Sequence, residues 1–318
     1  MSTKTKPLVS VCVVAYNQEK YIRQSLLSII NQETNFEFEI IVSDDFSNDK
    51  TASIIYEIAQ EYPGKVKAIF HEINIGAFEN YITTHNAASG DYIAHLDGDD
   101  NWLPGKLSKQ LNFLETNPQC SAVYTNAIVI DKNGNKIGIF NKKLPSIFDR
   151  SFLLKKGNFL NASSLFYRRS LIKKILPSSS EFIDYQIHLN CSQFGKSGYI
   201  NEPLVSYRVH ADGMASKSSL KVLKLYWVAL EDVFKIDGAT PAMKSAVTDF
   251  MGIVFCRAII EKDLSTVKKW INIIHAETKI PKNYIITVGL LKSVAKIANS
   301  VKKRVLRGLN MPIIFASR

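Results

Sequence analysis

Apolar positions in the first hundred residues switch between two spacings. Residues 8-LVSVCVVAY-16 form a near-continuous, β-branched apolar run, the pattern of a strand buried on both faces. In 19-EKYIRQSLLSIINQ-32, Ile22, Leu26, Ile29 and Ile30 recur at helical spacing. The alternation then repeats: strand 38-FEIIVSD-44, helix 49-DKTASIIYEIAQEY-62 closed by Pro63-Gly64, strand 66-VKAIFHE-72, helix 77-AFENYITTHNAAS-89 and strand 91-DYIAHLD-97. This β-α-β-α-β-α-β order predicts a doubly wound α/β fold, with a mostly parallel sheet flanked by helices.

Beyond it, 104-PGKLSKQLNFLETNP-118 reads as a helix and 121-SAVYTNAIVID-131 as a strand turning through Asn133-Gly134. Helices follow near 169–176 and at 182–195, and 198-GYINEPLVSYRVH-210 is a closing strand. After about residue 216 the pattern is all-helical. The expected division is an α/β domain over 1–215 and a helical region over 216–318. In 290-LLKSVAKIANSVKKRVLRGL-309, Leu290, Val294, Ile297, Val301 and Val305 share one face, with Lys292, Lys296, Lys303 and Arg307 on the other. The last acidic residue is Glu277, and nine Lys or Arg follow it.

Composition adds little for the fold and more for location. Of 318 residues, 46% are hydrophobic and 22% charged, ordinary for a globular protein. The longest apolar candidate, 284-YIITVGLL-291, falls far short of the ~20 residues of a membrane helix. Residues 1–16 read as a tail and first strand, not a signal peptide. Four scattered cysteines without Cys-x-x-Cys spacing suit reduced thiols in the cytoplasm.

Candidate chemistry concentrates at strand ends. In an open parallel sheet, ligands bind beyond the carboxyl ends of the strands. Strand one ends in Ala15-Tyr16-Asn17, strand two in Asp44-Asp45, strand three leads to 74-NIG-76, and strand four ends in 97-DGDD-100. Three carboxylates at one tip of a chain with net charge +11 are costly unless a cation shares their charge. Asp-x-Asp on an extended chain points both side chains one way, and hard oxygen donors without His or Cys beside them suit Mg²⁺ or Mn²⁺. The competing reading is a solvated turn that caps the helix at 104–116.

The runs 9-VSVCVVAYNQEKYIRQSLLSIINQ-32, 39-EIIVSDDFSNDKT-51, 74-NIGAFEN-80, 90-GDYIAHLDGDDNWLPGKL-107 and 183-IDYQIHLNCSQFGKSGYINEPLVSYRVH-210 resemble family 2 glycosyltransferases of the GT-A fold. The resemblance implies an inverting hexosyl- or N-acetylhexosaminyl-transferase that takes a nucleotide sugar, first of all a UDP-sugar. It implies that Tyr16 stacks on the base, Asp44 accepts from the uracil N–H, and Ala15, Asn17, Glu19, Asn74, Gly76 and Asn80 complete the nucleotide side. Asp97 would hold ribose and metal, Asp99 the metal, and Asp100 would orient the loop. Asp184 would be the general base, a role typically worth ~10²–10⁴-fold. His210 would add a metal ligand and Arg208 would neutralise phosphate. Phe46 stands where many family members carry Gly, and Asn190 where they often carry Arg. On the residues alone, Tyr16 also suits strand-end packing, and Asp44 and Asp184 also suit helix caps. Asn161 and Ser163 are expected on the acceptor side.

The acceptor implied is a glycan or lipid-linked glycan of surface polysaccharide or lipopolysaccharide synthesis. The basic amphipathic tail reads as a peripheral contact with the anionic inner face of the cell membrane, or else as an ordinary bundle helix. Two rival classes remain. A nucleotidyl-transferring enzyme would want a Gly-rich, basic loop after strand one, which 15-AYNQEKY-21 lacks. A nucleic-acid-binding protein is suggested by charge alone, and no nucleic acid is expected as a partner.

Overall fold

The computed structural model describes residues 6–177, 181–209, 220–308 and 313–314, with side chains described as far as residue 300. The alternating segments form β1 (Val9–Ala15), α1 (Ile22–Ile30), β2 (Phe38–Asp44), α2 (Thr51–Glu61), β3 (Val66–Phe70), α3 (Ala77–Asn86) and β4 (Tyr92–Asp97). These four strands are parallel, in the spatial order β3-β2-β1-β4. Chain order therefore reverses at β1, and the crevice between the ends of β1 and β4 is the topological switch point where such sheets take ligands. Register sets the rim level: Ala15 lies opposite Asp44, and Val14 opposite Asp97.

The chain continues through β5 (Asn101–Trp102), α4 (Lys106–Thr116), β6 (Cys120–Ile130), β7 (Lys136–Ile139), β8 (Ile147–Phe148), α5 (Arg150–Lys156), β9 (Phe166–Arg168), α6 (Ile172–Ile175), α7 (Asp184–Cys191) and β10 (Lys196–Arg208). Short β9 inserts antiparallel between β4 and β6, an element the periodicity does not announce. The Asn-Gly turn makes the β6–β7 hairpin, and β10 runs parallel to β6. Then come α8 (Leu220–Asp237), α9 (Pro241–Glu261), α10 (Leu264–Thr278) and α11 (Lys282–Gly308). The expectation of an all-helical end needs one correction. Ile313–Ile314 forms β11, which pairs in parallel with Gly138–Ile139 of β7 and so returns the chain to the sheet.

Both faces of the sheet are covered. Val9, Val11, Val13 and Ala15 of β1 point into one core with Leu26 and Ile29 of α1 and Leu107 and Leu111 of α4. Cys12 points the other way, into a core shared with α3, α7 and the C-terminal bundle. That bundle braces α7: the Tyr185 and Tyr226 rings lie 5.0 Å apart, and Gln186 Nε2 donates to Asp232 at 2.7 Å. No helix among the described residues is long and apolar enough to cross a membrane.

At the opposite end of the sheet from the crevice, one carboxylate joins three strands. Glu39 of β2 is 3% exposed, and it accepts from Ser10 Oγ of β1 at 2.7 Å, from Ser89 N before β4 at 3.0 Å, and from Lys67 Nζ of β3. Burial alone would raise its pKa, but the bonds from Lys67, Ser10 and Ser89 outweigh it and hold the value at about 2. Because the folded value lies below the ordinary one of 4.5, this contribution is full above that value and is lost as pH falls towards 2. Urea denaturation from about pH 5 down to about 2 should erode the advantage of wild type over Glu39→Gln by an amount on the order of 3 kcal/mol.

Candidate active site

Four loops meet at the switch point. After β1 the chain turns at Asn17 with φ +53°, a left-handed conformation that asparagine tolerates well. Asn17 Oδ1 accepts from Asn48 N at 2.8 Å, Asn17 N donates to Ser47 Oγ at 2.8 Å, and Glu19 accepts from Lys50 N at 3.1 Å. The loops that follow β1 and β2 are thereby stitched together, and Tyr16 stands on the rim, 45% exposed. Asp44 is buried and accepts from Ser47 N at 3.0 Å, which curls the β2 tip into a turn. Phe46, in that turn, has φ +58° and an exposed ring. A positive φ is what glycine adopts without cost, so the phenylalanine carries backbone strain in exchange for an aromatic face at the rim.

Asp45 is a structural residue that the motif did not single out. It is buried, and its two carboxylate oxygens accept from Ile75 N at 2.8 Å and Gly76 N at 3.0 Å, while Asn74 Nδ2 donates to its carbonyl at 2.9 Å. The 74–76 turn thus hangs from the β2 tip. Asn80, expected on the nucleotide side, is buried and engaged elsewhere, donating to Ser43 O at 3.2 Å with His71 at its other side.

The carboxylates after β4 have separate surroundings. Asp97 keeps a side chain 38% exposed, accepts from His95 Nε2 at 3.2 Å, and lies 3.3 Å from Ser163 Oγ. Burial would raise its pKa; the His95 hydrogen bond and charge, with Ser163, hold it below the ordinary value instead. Asp99 follows, half-buried. Asp100 is fully buried and accepts from Arg208 N at 2.7 Å and from Ser163 Oγ at 2.6 Å. Its pKa is pushed well up by burial and then by the charges of Asp99 and Asp97. Asp100 is therefore the internal tether of the loop.

Two expectations about neighbouring residues change. Ser163, assigned to the acceptor side, lies buried beneath the carboxylates, its Oγ 2.6 Å from Asp100 and 3.3 Å from Asp97. Its turn is pinned by Trp102 Nε1, which donates to Ser163 O at 2.9 Å, and by Gln110 Nε2, which donates to Ser164 O at 2.8 Å. Buried Lys106 completes this girder, 2.6 Å from Gln110 Oε1 and 3.8 Å above the Trp102 ring. Asn161 is buried as well. Arg208, assigned to phosphate, is buried with its guanidinium occupied: it donates to Asp99 O at 2.9 Å and Asp131 O at 3.2 Å and stacks 4.4 Å from the Tyr21 ring. It clamps the Asp99–Asp100 backbone. His210 lies outside the described residues.

Asp184 begins α7 and opens onto the same crevice. Its surface is exposed, and partial desolvation by the surrounding protein, reinforced by the charge of Asp97 and opposed by His95, raises its pKa to about 6. Tyr207, on β10, reports how tightly the acids gather. Burial raises its pKa, and the charges of Asp100, Asp97, Asp184 and Asp99 all raise it further. The resemblance covers 207-YRVH-210 and gives roles to Arg208 and His210 but none to Tyr207 itself.

Among the described residues no three His, Cys, Asp or Glu side chains form a closed metal cage. The rim nonetheless fits a sparsely held hard cation. Asp97, with its side chain 38% exposed, and half-buried Asp99 place hard carboxylate oxygens at the rim, the donor type that suits Mg²⁺ or Mn²⁺.

The model of the family described as Glycosyl transferase family 2 matches residues 10–176. An uncharacterized glycosyltransferase of Methanocaldococcus jannaschii is 33% identical over 233 residues, 70% of this chain and 77% of that protein. An uncharacterized protein of Mycobacterium tuberculosis is 34% identical over 211 residues; the match takes 65% of this chain and spans 60% of the relative's length. Among solved structures, S. aureus TarS in complex with UDP-GlcNAc superposes with a TM-score of 0.64 at 17% identity, over 90% of this chain and 89% of that one. The mannosyltransferase PcManGT from Pyrobaculum calidifontis, in complex with GDP-Man and Mn²⁺, has a TM-score of 0.56 at 15% identity, over 92% and 88%. These likenesses show a shared GT-A-like fold.

Replacing Asp45 by Ala would strand two backbone N–H groups and release the 74–76 turn. Chemical denaturation should show a loss of about 2 kcal/mol, since hydrogen bonds to a charged group contribute ~1.5–3 kcal/mol and water reaches these half-buried amides.

Proposed function

The chain belongs to glycosyl transferase family 2, and from that premise we propose that it transfers a sugar from a nucleotide sugar, UDP-linked in the first instance, to a hydroxyl of a glycan or lipid-linked acceptor, with inversion at the anomeric carbon. The observation that carries this reading is the meeting of Asp97, Asp99, Asp100 and Asp184 around Tyr207 at the switch point of the sheet. The TarS and PcManGT complexes named above hold nucleotide sugars on the same fold, which supports the donor class.

In this reading the base lies on the Tyr16 ring, with Asp44 accepting from its N–H and Ala15, Asn17, Glu19, Asn74 and Gly76 shaping the floor around it. Asn80 acts from below, through Ser43. Asp97 faces the ribose. Asp97 and Asp99 are the residues that would hold Mn²⁺ or Mg²⁺, with His210 as a further donor. Bound there, the ion supplies positive charge against the diphosphate of the leaving group. Arg208 and Asp100 act by keeping the Asp97–Asp99 loop in place.

Asp184 serves as the base. A carboxylate with a pKa near 6 is ionised at neutral pH yet strong enough to take a hydroxyl proton as the C–O bond forms. The acceptor oxygen bonds to the anomeric carbon, the bond from that carbon to the phosphate oxygen breaks, and the proton remains on Asp184. Attack opposite the departing diphosphate inverts the centre.

Thermal-shift assays with nucleoside diphosphates and nucleotide sugars, with and without Mn²⁺, test the donor site. UDP or a UDP-sugar should stabilise the protein more with Mn²⁺ than without, and Asp99→Ala should remove that difference. Indifference to every nucleotide would refute the reading. Asp184→Asn should keep the nucleotide shift while kcat falls by ~10²–10⁴-fold. Wild-type activity should decline as pH drops through about 6, because protonation disables the base. Desolvation is the larger cause of that elevated value, so the limb should stay above the ordinary carboxylate range with a cation on Asp97. Its survival in Asp184→Asn would assign the base elsewhere.

A further inference from the structure

Over residues 290–297, helix α11 is turned so that its apolar side chains face away from the protein. Ile285, Gly289 and Ser293 are buried against α9, while Leu291 is 67% exposed, Val294 64%, and Leu290 and Ile297 each near 45%. The lysines that the pattern sets on the opposite face point inward: Lys292 Nζ lies 3.1 Å and Lys296 Nζ 3.7 Å from the carboxylate of Asp249 on α9.

Close packing holds this rotation. A Cβ at Gly252 would come within 2.9 Å of Lys292 Cβ, and a Cβ at Gly289 within 2.9 Å of Met251 Cβ. The two helices therefore touch through glycines at both levels. Rolling α11 to hide its leucines would drive side chains into those contacts and part Asp249, 9% exposed, from both lysines. The outward stripe is thus held in place by the packing of the bundle.

We propose that this face of α11 is a docking surface for an anionic lipid bilayer, with the helix lying in the plane of the interface. Three observations select that occupant. Among the described residues nothing buries Leu290, Leu291, Val294 and Ile297. The stripe belongs to a segment that carries nine Lys or Arg and no Asp or Glu beyond Glu277; Asp249 answers Lys292 and Lys296, and the basic excess that remains calls for a negative complement. A 27-residue helix is ~40 Å long. None of the described helices is apolar enough to cross a bilayer, so the exposed side chains of Leu290, Leu291, Val294 and Ile297 suit a flat surface that meets them together. A second copy of the chain would bring one basic segment against another and repel.

The proposal goes beyond the catalytic reading and rests on different residues. Its test uses the full chain, without donor or acceptor, floated with phosphatidylcholine vesicles that contain or lack phosphatidylglycerol. The protein should bind the phosphatidylglycerol vesicles at least about tenfold better, with the difference shrinking as salt rises. The double variant Leu291→Glu/Val294→Glu alters exposed positions only, so it should keep the wild-type circular dichroism and nucleotide shift while vesicle binding falls about tenfold or more. Three results would overturn the proposal: wild-type protein that ignores phosphatidylglycerol vesicles at low salt, a double variant that binds as well as wild type, or a wild-type dimer in light scattering that the double variant converts to monomer. The last would give the stripe to a second copy.

Discussion

Mutual repulsion among carboxylates at the end of β4 is the constraint around which this end of the molecule is arranged. Each acid has a different compensation. Asp100 is withdrawn from water and answered by a serine hydroxyl and a backbone amide; Asp97 is answered by a histidine; Asp184 is kept mostly by desolvation and its ionisation is deferred. Asp97 and Asp99 are the less buried of the three acids after β4, and they stand at the crevice between the ends of β1 and β4. In the proposed reading a cation with a diphosphate shares their charge.

The scaffolding that holds this charge comes from distant parts of the chain. Arg208 on β10 reaches the backbone after β4, Ser163 rises from a turn pinned by Trp102 and Gln110, and the C-terminal bundle supports α7 through Tyr226 and Asp232. A crevice assembled from four loops needs such bracing, because the loops carry the chemistry and the strands supply the precision.

How much of this can be read from the residues follows from what is local. The period of apolar positions locates the parallel strands because a two-face-buried strand and an amphipathic helix leave distinct marks within ten residues. The turn at Asn133-Gly134 is equally local. The roles of Ser163 and Arg208 are not: each is decided by a partner more than sixty positions away, so one was expected at the acceptor and the other on phosphate, whereas both hold the acid loop. Asp45 went unassigned because its partners are backbone amides, which carry no sequence signal. The direction of α11 was hidden for a similar reason, since helical spacing shows that two faces differ but not which one faces the protein.

The account is tested most directly by anomalous diffraction at the manganese edge from crystals soaked with Mn²⁺ and a UDP-sugar. It predicts an anomalous peak between the Asp97 and Asp99 side chains, with the diphosphate against it and the base over Tyr16. A peak elsewhere, or a nucleotide seated away from the ends of β1 and β4, would contradict it.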